Sequence, residues 1–197
     1  MKIQSDLRYR CLDLDVFHDG AYAITPLRKE DMMPIMTWRN AQQAVLRGKT
    51  TLTEEQQQGY WLRVIEPSFA QEEPAQLLFT FFFQHEPIGY GGLVHLSWQD
   101  RRAEVSFLVA PERAENLPIY ARDFAAWLGM LKLIAFKQLR LQRLSTETYD
   151  IRKHHIQVLE ASGFAFEGRM RRHLIIDGQP VDSLIHGCLN AEFPLTP

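Results

Sequence analysis

The chain has 197 residues, 46% of them hydrophobic, and a formal net charge of −2 at pH 7. This length and apolar content are typical of one domain with a packed core. A nearly neutral chain has no general attraction to a polyanion, so we expect neither nucleic acid nor an anionic membrane as a partner.

The cysteines and the apolar runs bear on the cellular compartment. Cys11 and Cys188 lie near opposite ends of the chain, without the spacing of a metal site. They suit a reducing cytosol better than a disulfide framework, although one disulfide between them is the alternative. Residues 1–10 contain no apolar run suited to a signal peptide, and no later stretch is apolar for long enough to span a bilayer. We expect a cytoplasmic protein without a metal ion, either a monomer or a homodimer.

The N-terminal part of the sequence predicts two strands and two helices. Apolar residues alternate with aspartates in the opening segment, so residues 1–20 are interpreted as an N-terminal arm or edge strand, ahead of a single domain over residues 21–197. Residues 21–27 predict the first core strand, and residues 31–39 predict the first helix. A second helix is expected after Thr53, because the Thr-Glu-Glu-Gln spacing there is that of a capping box.

The middle of the chain predicts an antiparallel meander followed by a long helix. The three strands are expected over residues 77–83, 88–98 and 102–109, and the third has the period-two pattern of a half-buried strand. Helical spacing of apolar residues over 119–137 predicts the helix, with Phe124 and Trp127 on its buried face.

A segment bounded by prolines, residues 111–118, separates the third strand from the long helix. Proline resists both strand pairing and helix continuation, so a loop is predicted. A loop that leads into a helix N-terminus presents unpaired backbone N–H groups, which makes this one a candidate anion site.

The C-terminal third predicts a strand, a short helix and a hairpin. The strand over residues 144–149 should lie parallel to the third meander strand after a right-handed crossover. A helix over residues 154–161 follows, and strands over 164–176 and 179–189 flank an Asp-Gly dipeptide, which is a strong hairpin signal. We expect the parallel pair to splay apart in a V-shaped opening beyond Val109.

This order of strand, proline-bounded loop and long helix, followed by Leu-Glu-Ala-Ser-Gly-Phe ending at Phe164 and by the Asp-Gly hairpin, resembles the GNAT superfamily of acetyl-CoA-dependent N-acetyltransferases. The resemblance covers residues 21–189. It implies an α/β (α+β) fold, with a central mixed, mostly antiparallel sheet flanked by helices, and acetyl-CoA as the co-substrate.

The resemblance also implies where coenzyme A binds. The family's loop carries an Arg/Gln-x-x-Gly-x-Gly/Ala pattern whose backbone amides hold the pyrophosphate. Arg113 matches its first position, whereas Asn116 and Pro118 stand where the small residues belong. In the family the pantetheine arm lies in the V-shaped opening and pairs with strand backbone. The residues expected to contact coenzyme A are Phe107, Leu108, Val109, Arg113, Ala114, Glu115, Asn116, Leu117, Pro118, Ile119 and Arg152.

Acetyl transfer from a thioester needs a neutral amine, a donor for the developing oxyanion and an acid for the departing thiolate. The backbone N–H of Val109 is the candidate oxyanion donor. Glu104 or Glu147 is the candidate base that accepts the amine proton, directly or through water. The alternative is that both are solvated carboxylates on the surface of a strand.

The sequence departs from the family at the position of the acid. The family often has a tyrosine four residues before the glycine that ends the short helix and an asparagine eleven residues before it, whereas this chain has Leu159 and Arg152. Tyr149, His154 and His155 are the candidates to replace the tyrosine, because an imidazole with an ordinary pKa of about 6.5 exchanges protons near neutral pH. The alternative is that the two histidines are surface or capping residues.

Trp38, Arg39 and Asn40 are the candidate substrate-binding residues. They resemble a Trp-Arg-Asn motif of GNAT proteins that acetylate nucleotide-linked amino sugars, and related sequences occur among ribosomal-protein acetyltransferases. Trp offers a stacking face, Arg a clamp for phosphate or carboxylate, and Asn an amide that binds hydroxyls. The alternative is structural, with a core Trp that packs on Trp61, an Arg at the helix dipole and a capping Asn.

Three functions therefore compete. The first is an N-acetyltransferase for a primary amine on a small molecule, such as a nucleotide-linked amino sugar. The second is a protein acetyltransferase that acts on a chain N-terminus or a lysine. The third is a catalytically silent GNAT-fold binding protein, which the loop without glycines and the leucine in place of the tyrosine favour.

Overall fold

The computed structural model describes residues 6–46 and 50–193. These residues form one eight-stranded sheet in the order β1-β2-β3-β4-β5-β6-β8-β7. The strands are β1 (Phe17–Asp19), β2 (Tyr22–Pro26), β3 (Leu77–Phe83), β4 (Glu86–Ser97), β5 (Arg102–Val109), β6 (Arg143–Tyr149), β7 (Ala165–Ile176) and β8 (Gln179–Leu189).

The helices flank this sheet. They are α1 (Met32–Ala41), α2 (Glu54–Tyr60), α3 (Glu66–Ser68), α4 (Pro111–Glu115), α5 (Leu117–Lys132) and α6 (Lys153–Ala161). A π-helical stretch, Trp61–Ile65, joins α2 to α3, and another, Leu133–Gln138, extends α5. Short 3-10 turns occupy Lys29–Asp31, Gln43–Val45 and Asn190–Glu192.

The sheet is mixed and mostly antiparallel, which confirms the predicted fold class. Among the strands of the described residues, only the β5–β6 pair is parallel, and the predicted strand over residues 102–109 coincides with β5. The β7–β8 hairpin turns at Asp177 and Gly178, whose positive φ angles of 48° and 76° are those that an Asp-Gly hairpin turn requires. The capping box at Thr53 is present as predicted.

The opening between β5 and β6 begins earlier than predicted. The parallel pairing covers only Arg102 with Arg143, Ala103 with Leu144 and Glu104 with Ser145. On its other edge, β5 pairs with β4 as far as Val109, and β6 pairs with β8 along its whole length. Because each strand follows its outer partner, the facing edges of β5 and β6 diverge from Val105 onwards. The predicted opening is therefore present, but the prediction that it begins beyond Val109 is wrong.

The prediction of a loop over residues 111–118 is also wrong. Pro111 begins the short helix α4, since a proline in the first turn gives up no intrahelical hydrogen bond and has a φ angle suited to a helix. Asn116 is extended and caps α5, which begins at Leu117. Its side-chain Oδ1 accepts a hydrogen bond of 3.2 Å from the N–H of Ile119.

Two hydrophobic clusters cover the two faces of the sheet. One cluster contains α5 and the β5 residues Val105 and Val109. The other contains Leu108, together with apolar residues of α1 and of the α2–α3 segment. The opening segment belongs to the first cluster, because Tyr9 is buried and its hydroxyl donates to the carbonyl of Leu78 at 2.9 Å.

The predicted inward face of α5 is confirmed, because Phe124 and Trp127 are both buried. We expect Trp127→Ala to lower the free energy of unfolding by about 3–5 kcal/mol, since it leaves a cavity in a closed core. Urea denaturation would measure this change. Leu133→Ala, at a half-exposed position on the extension of the same helix, is the matched control and should lose less than about 1 kcal/mol. Equal midpoints for Trp127→Ala and the parent would contradict this packing.

Candidate active site

The divergence of β5 and β6 creates a cavity of about 200 Å³, called here the V-cleft. It lies between the second half of β5, the second half of β6 and the start of α6. The residues that line it include Glu104, Phe107, Glu147, Tyr149, Arg152 and His155.

The backbone at the end of β5 points into this opening. The N–H of Ala110 donates to the carbonyl of Ile88 on the β4 side, at 2.8 Å. Successive amides along a strand point to opposite sides, so the N–H of Val109 points towards β6. The ladder to β6 has already ended at Glu104. An amide or an oxyanion placed in the opening would therefore find a donor at Val109.

Gln42, at the end of α1, is a residue that the sequence analysis missed. Its Nε2 donates to the carbonyl of Val109 at 2.8 Å and to the carbonyl of Trp38 at 3.3 Å. This contact attaches the end of α1 to the end of β5. A glutamine carries no sequence signal for such a role, because its partner lies 67 residues away.

The two candidate bases share one face of the sheet. Side chains alternate along a strand, so Glu104, like Leu108, faces α1 and α2. The parallel register places Ser145 opposite Glu104, and Glu147, two residues further, faces the same way. Both carboxylates are half-buried and line the V-cleft, and His173 Nε2 lies 3.5 Å from Glu147 Oε1. Their common position is compatible with an amine that approaches from the α1–α2 side.

The candidate acids differ in whether they reach the V-cleft. Tyr149 and His155 are buried and line the V-cleft. His154 does not line it: the residue is half-buried, and its Nε2 lies 3.0 Å from the carbonyl of Leu117. The structure therefore brings His155, but not His154, to the candidate site.

A hydrogen-bonded chain ends at His155. Arg152 donates to the hydroxyl of Tyr120 at 3.0 Å, and this hydroxyl lies 2.6 Å from His155 Nδ1. Burial raises the pKa of Tyr120, and the Arg152 guanidinium opposes this rise. Burial, followed by the charge of Arg152, holds the pKa of His155 well below its ordinary value. The imidazole is thus neutral at physiological pH.

A second cavity of about 490 Å³, called here the side pocket, lies between α1, the α2 segment and strands β3 to β5. It adjoins the V-cleft, because Arg39, Val94 and Ser106 line both. An Arg39 guanidinium nitrogen donates to the hydroxyl of Tyr90. The two cavities are thus neighbours that share part of their lining.

The other two predicted substrate residues take structural positions. The side-chain amide of Asn40 donates to the carbonyl of Leu52 and accepts from its N–H, both at 2.9 Å. Trp38 packs against the cluster that contains Trp61. Neither residue lines either cavity, and Arg39 is the member of the motif that reaches the site.

The predicted pyrophosphate segment is partly occupied by its own contacts. The N–H groups of Arg113 and Ala114 donate to the carbonyl of Ala110 at 3.0 and 3.1 Å. The N–H of Ile119 is used by the cap of α5, and Pro118 has no N–H. The remaining predicted contacts, Glu115, Asn116 and Leu117, lie at the junction of α4 and α5.

Arg113 forms a bidentate ion pair with Asp123, with distances of 2.6 and 2.8 Å. Asp123 is fully buried and also accepts a hydrogen bond of 2.9 Å from the hydroxyl of Tyr22. The carboxylate raises the pKa of Arg113, chiefly through these hydrogen bonds. The guanidinium charge is therefore already matched within the protein.

The described residues contain no group of His, Cys, Asp and Glu side chains that could hold a metal ion. Cys11 and Cys188 are free thiols rather than a disulfide. Within residues 6–46 and 50–193, no helix is long and apolar enough to cross a membrane.

Comparison with known proteins assigns the family. A family model described as an acetyltransferase (GNAT) domain matches residues 24–185, which is most of the chain. The chain belongs to the GNAT acetyltransferase family. It is an N-acetyltransferase, and acetyl-CoA is its co-substrate. No curated protein matches the sequence.

Solved GNAT structures share the fold at low sequence identity. A spermidine N-acetyltransferase from Vibrio cholerae, in complex with CoA and spermine, is 17% identical with a TM-score of 0.75, over 88% of this chain and 98% of that chain. A ribosomal-protein-S5-alanine acetyltransferase from Vibrio fischeri is 19% identical with a TM-score of 0.69, over 89% and 96% of the two chains. A probable acetyltransferase is 20% identical with a TM-score of 0.71, over 90% and 98%.

The V-cleft of this GNAT acetyltransferase fits the arm of coenzyme A. Its β5 edge offers strand backbone without a β6 partner beyond Glu104, and the amides of pantetheine can pair with such an edge. Phe107 and Arg152 line the cleft, as the resemblance implies. When bound, acetyl-CoA supplies the thioester, while the protein orients it and places donors around it.

The ion pair between Arg113 and Asp123 should contribute to the stability of the protein. We expect Arg113→Ala to lower the free energy of unfolding by about 3–5 kcal/mol, because it leaves the buried Asp123 carboxylate without its cation. The double variant Arg113→Ala, Asp123→Ala should lose little more than the single variant. Urea denaturation would measure both.

The control for this experiment is Arg122→Ala, at an exposed position of α5 beside Asp123, which should change the stability by less than about 0.5 kcal/mol. If Arg113→Ala keeps the stability of the parent but weakens acetyl-CoA binding, the guanidinium acts mainly on the pyrophosphate, and the structural role is wrong.

Proposed function

We propose that the enzyme acetylates a primary amine on a small molecule that also carries an anionic group, such as a nucleotide-linked amino sugar. The observation that supports this proposal most directly is the junction of the V-cleft with the side pocket at Arg39, Val94 and Ser106. Acetyl-CoA enters the V-cleft with its pyrophosphate over the junction of α4 and α5. The acceptor occupies the side pocket, and the two meet at the gap between β5 and β6.

Each requirement of acetyl transfer has a candidate group at this junction. Glu104 and Glu147 face the side of the sheet on which the acceptor binds, so either can take the amine proton directly or through water. The N–H of Val109 points into the opening and donates to the oxyanion.

The chemistry of the side pocket favours an anionic acceptor. Arg39 and Arg63 line it, and none of its described lining residues is an Asp or a Glu. The hydroxyl of Tyr90 accepts from Arg39, and that of Tyr60 accepts from Gln76, so the hydroxyl protons of both tyrosines can be donated to a ligand. A pocket rich in donors stabilises phosphate or carboxylate oxygens. A polyamine, whose charges are all positive, would be repelled by the two arginines.

The test is a screen of acceptors in two steps. A thermal-shift titration with acetyl-CoA comes first, because a ligand that binds only the native state must raise the apparent stability. Coenzyme A release is then measured with nucleotide-linked amino sugars, amino sugar phosphates, amino acids, spermidine and peptides with free N-termini. We expect turnover with an amine that carries phosphate or carboxylate.

Spermidine as the best acceptor would contradict the assignment of the side pocket. A peptide as the best acceptor would favour the second function, protein acetylation. If no acyl-CoA shifts the unfolding temperature, the proposed function fails as a whole.

The role of Arg39 gives a separate prediction. We expect Arg39→Ala to lower kcat/KM for the acceptor by about 10–100-fold, which corresponds to the loss of about 1.5–3 kcal/mol from one charged hydrogen bond. The affinity for acetyl-CoA, measured by calorimetry, should not change. Arg171→Ala is the control, since Arg171 is exposed on the edge strand β7. A weaker affinity for acetyl-CoA with an unchanged acceptor KM would place Arg39 on the other substrate.

A further inference from the structure

The hydrogen-bonded chain of Arg152, Tyr120 and His155 favours one tautomer of the imidazole. A guanidinium can only donate, so the Tyr120 oxygen accepts from Arg152. The hydroxyl keeps one proton to donate, and His155 Nδ1, 2.6 Å away, is the acceptor that this chain offers to it. In a neutral ring the remaining proton is therefore on Nε2.

The surroundings of His155 keep the ring neutral and fixed. Phe124 stacks on it with ring centroids 4.2 Å apart. The ring is buried, and the positive or protonatable groups around it are Arg152, His154 and His186, all of which lower its pKa. Glu147 and Tyr149 line the same cavity from β6. A neutral imidazole in this setting can donate one hydrogen bond from Nε2 over a wide range of pH.

The Nε2 atom is available for a ligand. It has no hydrogen-bond partner within the described parts of the chain, and the ring lines the V-cleft. Leu159, one helical turn further along α6, is fully buried and has no proton to give. Among the residues of α6, His155 is the titratable side chain that lines the V-cleft.

We propose that His155 Nε2 is the donor to the coenzyme A sulfur as the carbon–sulfur bond breaks, and that Tyr120 and Arg152 are positioning residues that hold it in the donor tautomer. This inference rests on the proposed function, because it requires coenzyme A in the V-cleft. Of the three candidate acids, the proposal assigns the proton donation to His155 and not to Tyr149 or His154.

The step balances in protons and electrons. The amine nitrogen forms a bond to the thioester carbon and loses one proton to the base. The carbon–sulfur bond breaks with its electron pair on sulfur, and the sulfur takes the proton of His155 Nε2. The hydroxyl proton of Tyr120 moves to Nδ1, which leaves a phenolate beside the Arg152 guanidinium. A proton from solvent then returns to Nε2 and the Nδ1 proton returns to Tyr120, while the base releases the amine proton to solvent. The net transfer is therefore one proton from amine to thiol.

Binding of coenzyme A tests the donor without any acceptor. Coenzyme A and desulfo-coenzyme A, in which hydrogen replaces the thiol, are titrated calorimetrically between pH 6.5 and 9.5. A free thiol has a pKa of about 8.5, and a hydrogen bond to the thiolate lowers it in the complex. The affinity for coenzyme A should therefore rise relative to that for desulfo-coenzyme A as pH increases. If the thiol pKa falls by about one unit, the rise is about fivefold at pH 8.5 and approaches about tenfold at pH 9.5.

The matched variants are His155→Phe, which keeps a ring against Phe124, and His154→Gln, which removes the neighbouring imidazole outside the cleft. His155→Phe should abolish the pH dependence of the affinity ratio, and His154→Gln should retain it. A ratio that stays constant with pH in the parent, or that still rises in His155→Phe, overturns the proposal. If neither ligand binds the parent, both this proposal and the proposed function fail. If both ligands bind but the ratio does not change with pH, only this proposal fails.

The tautomer has its own spectroscopic readout. Nitrogen-15 NMR of the imidazole in the protein without ligand should show Nε2 protonated and Nδ1 unprotonated at pH 7. Tyr120→Phe, which keeps the ring and removes only the hydroxyl, should shift this balance towards the Nδ1-protonated form and reduce the pH dependence of the affinity ratio. If His155→Phe fails to fold, Tyr120→Phe still tests whether His155 Nε2 donates to the coenzyme A sulfur. A parent ring protonated at Nδ1, or at both nitrogens, contradicts the proposal.

Discussion

The separation of β5 from β6 is the constraint on which the rest of the site depends. Each strand keeps a complete antiparallel partner on its outer edge, while the shared parallel ladder ends at Glu104 and Ser145. Backbone groups without partners are costly unless a ligand or water satisfies them. The gap therefore selects an extended molecule with amides of its own, and the arm of coenzyme A is such a molecule.

The two faces of the sheet provide different chemistry on either side of this gap. Towards α1 and α2, the surface is polar, with the two carboxylates Glu104 and Glu147 and the guanidinium of Arg39. Towards α5 and α6, Phe107 stacks on Phe124, which in turn stacks on His155. The carboxylates and the His155 imidazole therefore lie on opposite faces of the sheet, on either side of the gap.

The segment from α4 to α5 illustrates how a charge can be used for structure instead of binding. Arg113 lies where the family's pattern begins, yet it neutralises the buried Asp123, which also binds Tyr22 on β2. This pair joins α4, α5 and the second strand in one contact. The short helix α4 is held in place by that contact.

Local signals in the sequence determined the elements of this protein. The strand β5, the capping box at Thr53, the Asp-Gly hairpin and the buried face of α5 followed from periodicity and turn chemistry, which act over a few neighbouring residues. The assignment to the acetyltransferase fold followed from their order. Arg39, Glu104 and Glu147, which line the V-cleft, were candidates because charged side chains on predicted helices and strands are visible in the sequence.

Only the tertiary structure decided which of the candidate residues meet. Adjacent residues on a helix point about 100° apart, so the packing of α6 alone determined that His155 faces the cleft and His154 faces outward. The partner of Arg113 lies 10 residues away, that of Asn40 lies 12 and that of Gln42 lies 67. Periodicity carries no information about such pairs, because they form only when separate elements pack on one sheet.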